Sequence, residues 1–153
     1  MAADPQVIAI RARLRAEINQ AKKALVLAVD ANLRAAPSEG GTPVDTGHAR
    51  ANNVPGVGPP LGIEVYGDSA HAAGVVAVMS SELEDDLYEA NAVPYFARLN
   101  LGSSTQAPAG FVEAAVDRAV AEVQRQYDRL QIDVTRGEEA TIVQIAGRPD
   151  GDA

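Results

Sequence analysis

Residues 5–36 read PQVIAIRARLRAEINQAKKALVLAVDANLRAA. Apolar side chains recur at Val7, Ile10, Leu14, Ile18, Ala21, Leu25, Val29 and Leu33, in steps of three and four. That is the spacing of one helix face. Asp4 can cap the free N–H groups, and Pro5 fits a first turn because its missing N–H has no partner to lose. Pro37 ends the pattern. The spacing predicts a helix over 5–36, about 48 Å long at about 1.5 Å per residue. A chain of 153 residues cannot cover such a helix along its whole length. Part of it overhangs or packs on a neighbouring subunit.

A second stripe follows at Val112, Ala115, Val116, Ala119, Val120, Val123, Tyr127 and Leu130, with Glu113, Asp117, Arg118, Glu122, Arg125 and Arg129 on the wet side. It predicts a helix from Pro108 to about Leu130. Between the two, residues 37–60 are rich in Gly and Pro and read as loop, with a short strand over Ala49–Val54. GIEVYG (Gly62–Gly67) alternates like a strand. Ala70–Met79 is apolar and fits a strand or a short helix, and is read as a mobile connection leading into a strand. Asp85–Val93 reads as a further strand. A short helical segment over Pro94–Leu99 follows, then a polar loop over Gly102–Ala107. From Ile132 the text is tail-like, with Thr141–Ile145 (TIVQI) as an edge strand able to pair with another chain and Gly147–Ala153 frayed. The expected class is α+β: two long amphipathic helices on a small, mostly antiparallel sheet. The expected division is one domain over residues 1–131 and a C-terminal extension over 132–153.

Composition narrows the chemistry. The absence of Cys removes disulfides, thiolate metal sites and cysteine nucleophiles. Two His leave little for a histidine-rich metal centre. The net charge is −8, the wrong sign for direct binding of nucleic acid. Residues 1–53 carry seven basic and five acidic side chains, +2, and residues 54–153 carry six and 16, −10. Opposite signs at two ends can let copies stack head to tail or side by side, though a solvated surface explains the same charges more simply. The longest near-apolar run, Ala72–Met79, falls far short of the ~20 residues of a membrane span. Nor do Met1–Arg15 have the basic-then-apolar order of a secretion signal. A cytoplasmic chain is expected.

Candidate reactive residues are few. Asp45, Thr46 and His48 have the ingredients of a nucleophilic site. The simpler reading is a tight turn in which Asp45 bonds local N–H groups and Gly47 takes an unusual backbone angle. His71, among small apolar residues, reads as a partly buried or surface histidine. Glu82, Glu84, Asp85, Asp86 and Glu89 read as a solvated acidic loop, since they lack the spacing of a calcium loop. Gly56-Val57-Gly58-Pro59-Pro60 lacks the Lys-Ser/Thr of a phosphate loop and reads as a flexible linker. No enzyme activity, cofactor or metal is expected.

Two segments carry a resemblance. One is TPVDTGHARAN (Thr42–Asn52), and the other is NAVPYFARLNLGSSTQAPAG (Asn91–Gly110). Together, in this order, they resemble the neck or tail-completion proteins of long-tailed bacteriophages, also described as minor tail components. The first matches the family's PVDTG followed by a basic residue. The second matches its N-A-x-P-Y-A-x-x-L-E-x-G-x-S-x-Q-A-P-x-G stretch ahead of the last long helix. The similarity covers roughly residues 5–130. His48 replaces the basic residue that usually follows PVDTG, with Arg50 two positions on, and Asn100 stands where an acidic residue is common.

The resemblance implies a virion structural protein in an oligomeric ring that joins tail to head and lines the DNA conduit. It implies a sixfold ring, with a twelvefold one as the alternative. The neighbours would be a head-completion or adaptor protein and a tail-tube or tail-terminator protein. The genome would pass through without sequence-specific binding, and no membrane would be involved. The chain would be found in the virion, and in the host cytoplasm during assembly. The motif residues to which it gives structural or contact roles are Val44, Asp45, Thr46, Gly47, Arg50, Pro94, Tyr95, Leu99, Gly102, Gln106, Ala107, Pro108 and Gly110. Two other readings stay open: a tail terminator capping the tail tube, and a small acidic cytoplasmic module that binds proteins.

Overall fold

Helix α1 (Pro5–Arg34) begins as its sequence dictates, with the Asp4 carboxylate accepting the Gln6 N–H at 2.8 Å and Pro5 in the first turn. The computed structural model describes residues 2–138 and 140–148. In chain order, α1 is followed by α2 (His48–Ala51), β1 (Val54–Val57), α3 (Ser69–Met79), β2 (Leu87–Ala90), α4 (Phe96–Arg98), α5 (Phe111–Gln126), β3 (Leu130–Arg136) and β4 (Thr141–Gly147). The class is α+β, as expected. The strands form two antiparallel pairs rather than one sheet: β1 with β2, register Val54↔Ala90, and β3 with β4, register Leu130↔Gly147.

The core lies between α1 and α5. Ala21, Leu25, Val29 and Leu33 meet Phe111, Ala115, Val116, Ala119 and Val123, and Leu130 closes the end. Ala21, Ala115 and Ala119 have no exposed surface. Small residues there let the two helices approach closely. Phe96 packs edge-on against Phe111, ring centroids 5.8 Å apart. On its other side α1 meets β1, β2 and α3. Residues 5–13 lie beyond all of these and are exposed all round, so the predicted overhang is real.

Several sequence expectations change. The second helix starts at Phe111, not Pro108, because Gly110 has φ +80° and its N–H is held by the Asn100 carbonyl at 2.7 Å. It ends at Gln126, and Leu130 opens β3 instead. Ala49–Val54 is mostly the short helix α2, with strand only from Val54. Gly62–Gly67 is no strand. The Asn52 side chain takes the place of a partner strand: its Oδ1 accepts the Val65 N–H at 2.7 Å and its Nδ2 donates to the Val65 carbonyl at 3.1 Å. Residues 69–79 form helix α3 rather than a mobile link into a strand. Gly74 lets that helix sit against the Pro55 carbonyl of β1, where any Cβ would collide.

The largest correction is at the C-terminus. Residues 132–147 are a hairpin, not a tail, and β3 runs straight across the expected boundary at 131/132. Thr141–Ile145 pairs with β3 of its own chain. Ile132, Val143 and Ile145 lie on the inner face of the hairpin and pack on the helical core, alternating with exposed residues. The expectation of fraying from Gly147 fails at that residue, which ends β4 beside Leu14, and residues 149–153 lie outside the described residues. Among the described residues no helix is long and apolar enough to cross a membrane.

Candidate functional site

Thr42–Asn52 and Asn91–Gly110 are far apart in sequence, and the fold closes one on the other. The Gln106 side chain joins them: its Oε1 accepts the Val44 N–H at 2.8 Å and its Nε2 donates to the Val44 carbonyl at 2.6 Å. A primary amide is thereby paired to one backbone residue as a neighbouring strand would be. Asn91 makes a second clasp, its Nδ2 donating to the Ala49 carbonyl at 2.7 Å and to Asn53 Oδ1 at 3.1 Å. Asn53, fully buried, donates in turn to Thr42 Oγ1 at 3.0 Å and to the Arg50 carbonyl at 3.1 Å. Arg34 of α1 completes the arrangement, donating to the Asn53 and Ala51 carbonyls at 2.9–3.1 Å. Every buried polar group here is answered by another, which makes the region rigid.

A cavity of about 390 Å³ opens between the segments. Of the motif residues, Val44, Asp45, Thr46, Gly47, Tyr95, Leu99 and Gln106 line it, together with His48. Arg50, Pro94, Gly102, Ala107, Pro108 and Gly110 do not. Ala107 is buried in the core beside Phe111, while Pro94 and Pro108 are exposed. Gly102 has φ +99° and turns the chain toward Ala109. Asn100, the departure from the family pattern, has both halves of its amide in use. Its Oδ1 accepts the Val112 N–H at 2.9 Å and its Nδ2 donates to Glu113 at 2.9 and 3.1 Å. An acidic residue would keep the first bond and lose the donor for the others.

The Asp45–His48 pair is not formed. Asp45 is exposed, and the turn is bonded instead by Thr46 Oγ1, which accepts the His48 N–H at 3.4 Å. Gly47 has the expected positive φ, +87°. His48 Nε2 lies 2.8 Å from Glu64 Oε2, Nδ1 lies 3.3 Å from Asn52 Nδ2, and the ring stacks on Tyr66. Nε2 therefore holds the 61–66 segment through Glu64, and Nδ1 faces Asn52 beside α2.

A second polar cluster, unforeseen from the sequence, sits where α1, α3 and β2 meet. Asp30 is 6% exposed on α1. His71 Nε2 of α3 lies 2.8 Å from its Oδ2, and Arg34 Nε lies 3.3 Å from its Oδ1. Glu89 of β2 faces the same carboxylate with both its oxygens buried and without an ordinary donor. Burial first, and then the Asp30 charge and a hydrogen bond to Asp30, push the Glu89 carboxyl up to about 10; Arg34 opposes this. With no donor on either Glu89 oxygen and the Asp30 charge beside it, the protonated form of Glu89 is the favoured one. Glu89 thus leaves the solvated acidic loop expected for it. Asp85 leaves it in part, its Oδ2 accepting the Glu82 N–H at 2.8 Å. His71 is half-buried, as expected, with a partner that the sequence did not reveal. The legible signal was Asp30 four residues before Arg34 on one helix face.

Among the described residues no three carboxylate or imidazole groups are arranged to hold a metal ion. The two histidines are each paired with a carboxylate, His48 with Glu64 and His71 with Asp30. Comparison with protein-family models, with curated proteins and with solved structures finds no match to this chain.

Proposed function

We propose that the chain is a structural subunit of the phage head–tail junction, forming a ring that joins tail to head around the DNA conduit. The two motif segments carry the resemblance behind this reading. The observation that supports it best is how their polar side chains are used: Gln106 on Val44, and Asn91 on Ala49 and Asn53. They fasten loops to a helical frame, which is what a ring subunit under load requires. No catalytic role is assigned to them. A net charge of −8 suits a conduit wall, because like charge keeps the genome from adhering. Sixfold symmetry is proposed, with an adaptor or head-completion protein on one side and a tail-tube or tail-terminator protein on the other.

The test is electron microscopy of particles from a phage whose copy of this gene is disrupted. Filled heads and finished tails, unjoined, are the expected result. Tails of uncontrolled length would transfer the reading to a tail terminator. Intact, infectious virions would overturn it.

A further inference from the structure

We propose that the overhanging start of α1 docks on the exposed face of α3 in a second copy of this chain. This deepens the ring reading by naming a contact between subunits, but it rests on separate observations. Helix α3, SAHAAGVVAVM, is apolar almost all round, yet only Val78 is buried. A helix of that composition is normally covered. Here Val76 and Met79 are 63% and 62% exposed, and Ala72, Ala73 and Ala77 are exposed beside them. Further along α1, before Leu14, Val7, Ile8 and Ile10 are 42–65% exposed on the helical overhang. The chain thus carries two uncovered apolar helix surfaces.

Charge and order choose the occupant. In the overhang, the apolar residues 7–10 are followed by Arg11 and Arg13, both exposed and without an ion pair among the described residues. Along α3, the apolar residues 72–79 are followed by Glu82 and Asp86, also exposed and without one. Laid parallel, the apolar parts coincide and the arginines meet the carboxylates. The apolar stretch of the overhang, about 6 Å over residues 7–10, fits within that of α3, about 12 Å over residues 72–79. A groove of about 280 Å³ beside Met79, floored by Ala24, Leu27 and Tyr127, continues the apolar surface. The two surfaces differ, so the contact is head-to-tail, and each copy can give one and receive one. A contact between two short helices is small, so association is weak and is read at high protein concentration.

Sedimentation of the full chain over a range of concentrations tests this. Wild type is expected to associate as concentration rises. Val7→Asp/Ile10→Asp and Val76→Asp/Met79→Asp, checked for intact helical circular dichroism, are each expected to stay monomeric. Mixed one to one they should form a dimer and stop there, since each pair keeps one intact contact. Arg11→Glu/Arg13→Glu should weaken association, and adding Glu82→Arg/Asp86→Arg in the same chain should restore it. A wild type monomeric throughout, either apolar variant assembling like wild type, a monomeric mixture, or no rescue by the double charge reversal would each overturn the contact. Unjoined heads and tails in the disrupted phage would still stand if this contact failed, so the two proposals can fail separately.

Discussion

Glu89→Gln should make the chain more stable at pH 8 and change it little near pH 5. The native Glu89 keeps its proton up to about 10, while the unfolded chain releases it near the ordinary value of 4.5. Between those values the native state binds the extra proton, so stability falls as pH rises. A raised carboxyl therefore stabilises fully only below the unfolded pKa, and that contribution is gone above the folded one. The slope approaches about 1.4 kcal/mol per pH unit for one proton, or about 3 kcal/mol between pH 6 and pH 8. Glutamine has nearly the same shape, donates an N–H to Asp30 and has nothing to titrate, so this slope disappears. Urea unfolding of both proteins at pH 5, 6, 7 and 8 gives the difference directly. It should widen by about 4 kcal/mol from pH 5 to pH 8 in favour of the variant. Parallel pH profiles would refute the proton held on Glu89, and a variant less stable at every pH would show that the carboxyl contributes something an amide cannot replace.

Gln106→Ala removes both bonds to Val44 and should cost about 1–2 kcal/mol in urea unfolding, with Gln106→Glu in between because it keeps an acceptor but loses the donor. Gly74→Ala drives a Cβ into the Pro55 carbonyl and should loosen α3 from β1, read as faster amide hydrogen exchange over residues 69–79. Gly47→Ala meets no atom and carries only the strain of φ +87°, about 1–2 kcal/mol, so in thermal unfolding it should be milder than Gly74→Ala. Phe111→Ala empties a site 2% exposed, against which Phe96 packs, and should cost about 3–5 kcal/mol; a loss under about 1 kcal/mol would mean the α1–α5 core collapses to refill it.

Periodicity made the two main helices legible, because burial against each other is what that period encodes. α1 ends within two residues of its predicted boundary. The α5 boundaries were less visible because they depend on partners elsewhere, such as the Asn100 carbonyl that holds Gly110. The apolar run 70–79 was ambiguous for a physical reason: it lacks the polar side that separates helix from strand. Contact of Gly74 with Pro55 accompanies the helical outcome. Leu130, Ile132 and Val134 alternate as clearly as any strand here. Their meaning was hidden by the polar residues between them and by the absence of a strong turn dipeptide. The turn is closed instead by the Gly137 N–H on the Ala140 carbonyl at 2.9 Å.

The motif segments are a different case, since their residue types were visible and their use was not. Asn52, Asn91 and Gln106 look like ordinary loop polars. In the fold each amide binds backbone, and Asn52 and Gln106 each occupy both the N–H and the carbonyl of one residue. Each bond ties down a loop residue at a point where regular pairing is missing. That explains how long Gly- and Pro-rich connections can be held with only four-residue strands at β1 and β2. Glu89 shows the converse. By composition it belongs with Glu82, Glu84 and Asp86, which face water. Its pairing opposite Pro55 places it instead against α1, where Asp30 already holds Arg34 and His71. Charge read along the chain predicts solvent; charge read across a strand register predicts a proton. The two histidines and the motif amides are committed to holding α1, α3 and the motif loops in place, while α3 and the overhang leave apolar helix surface uncovered.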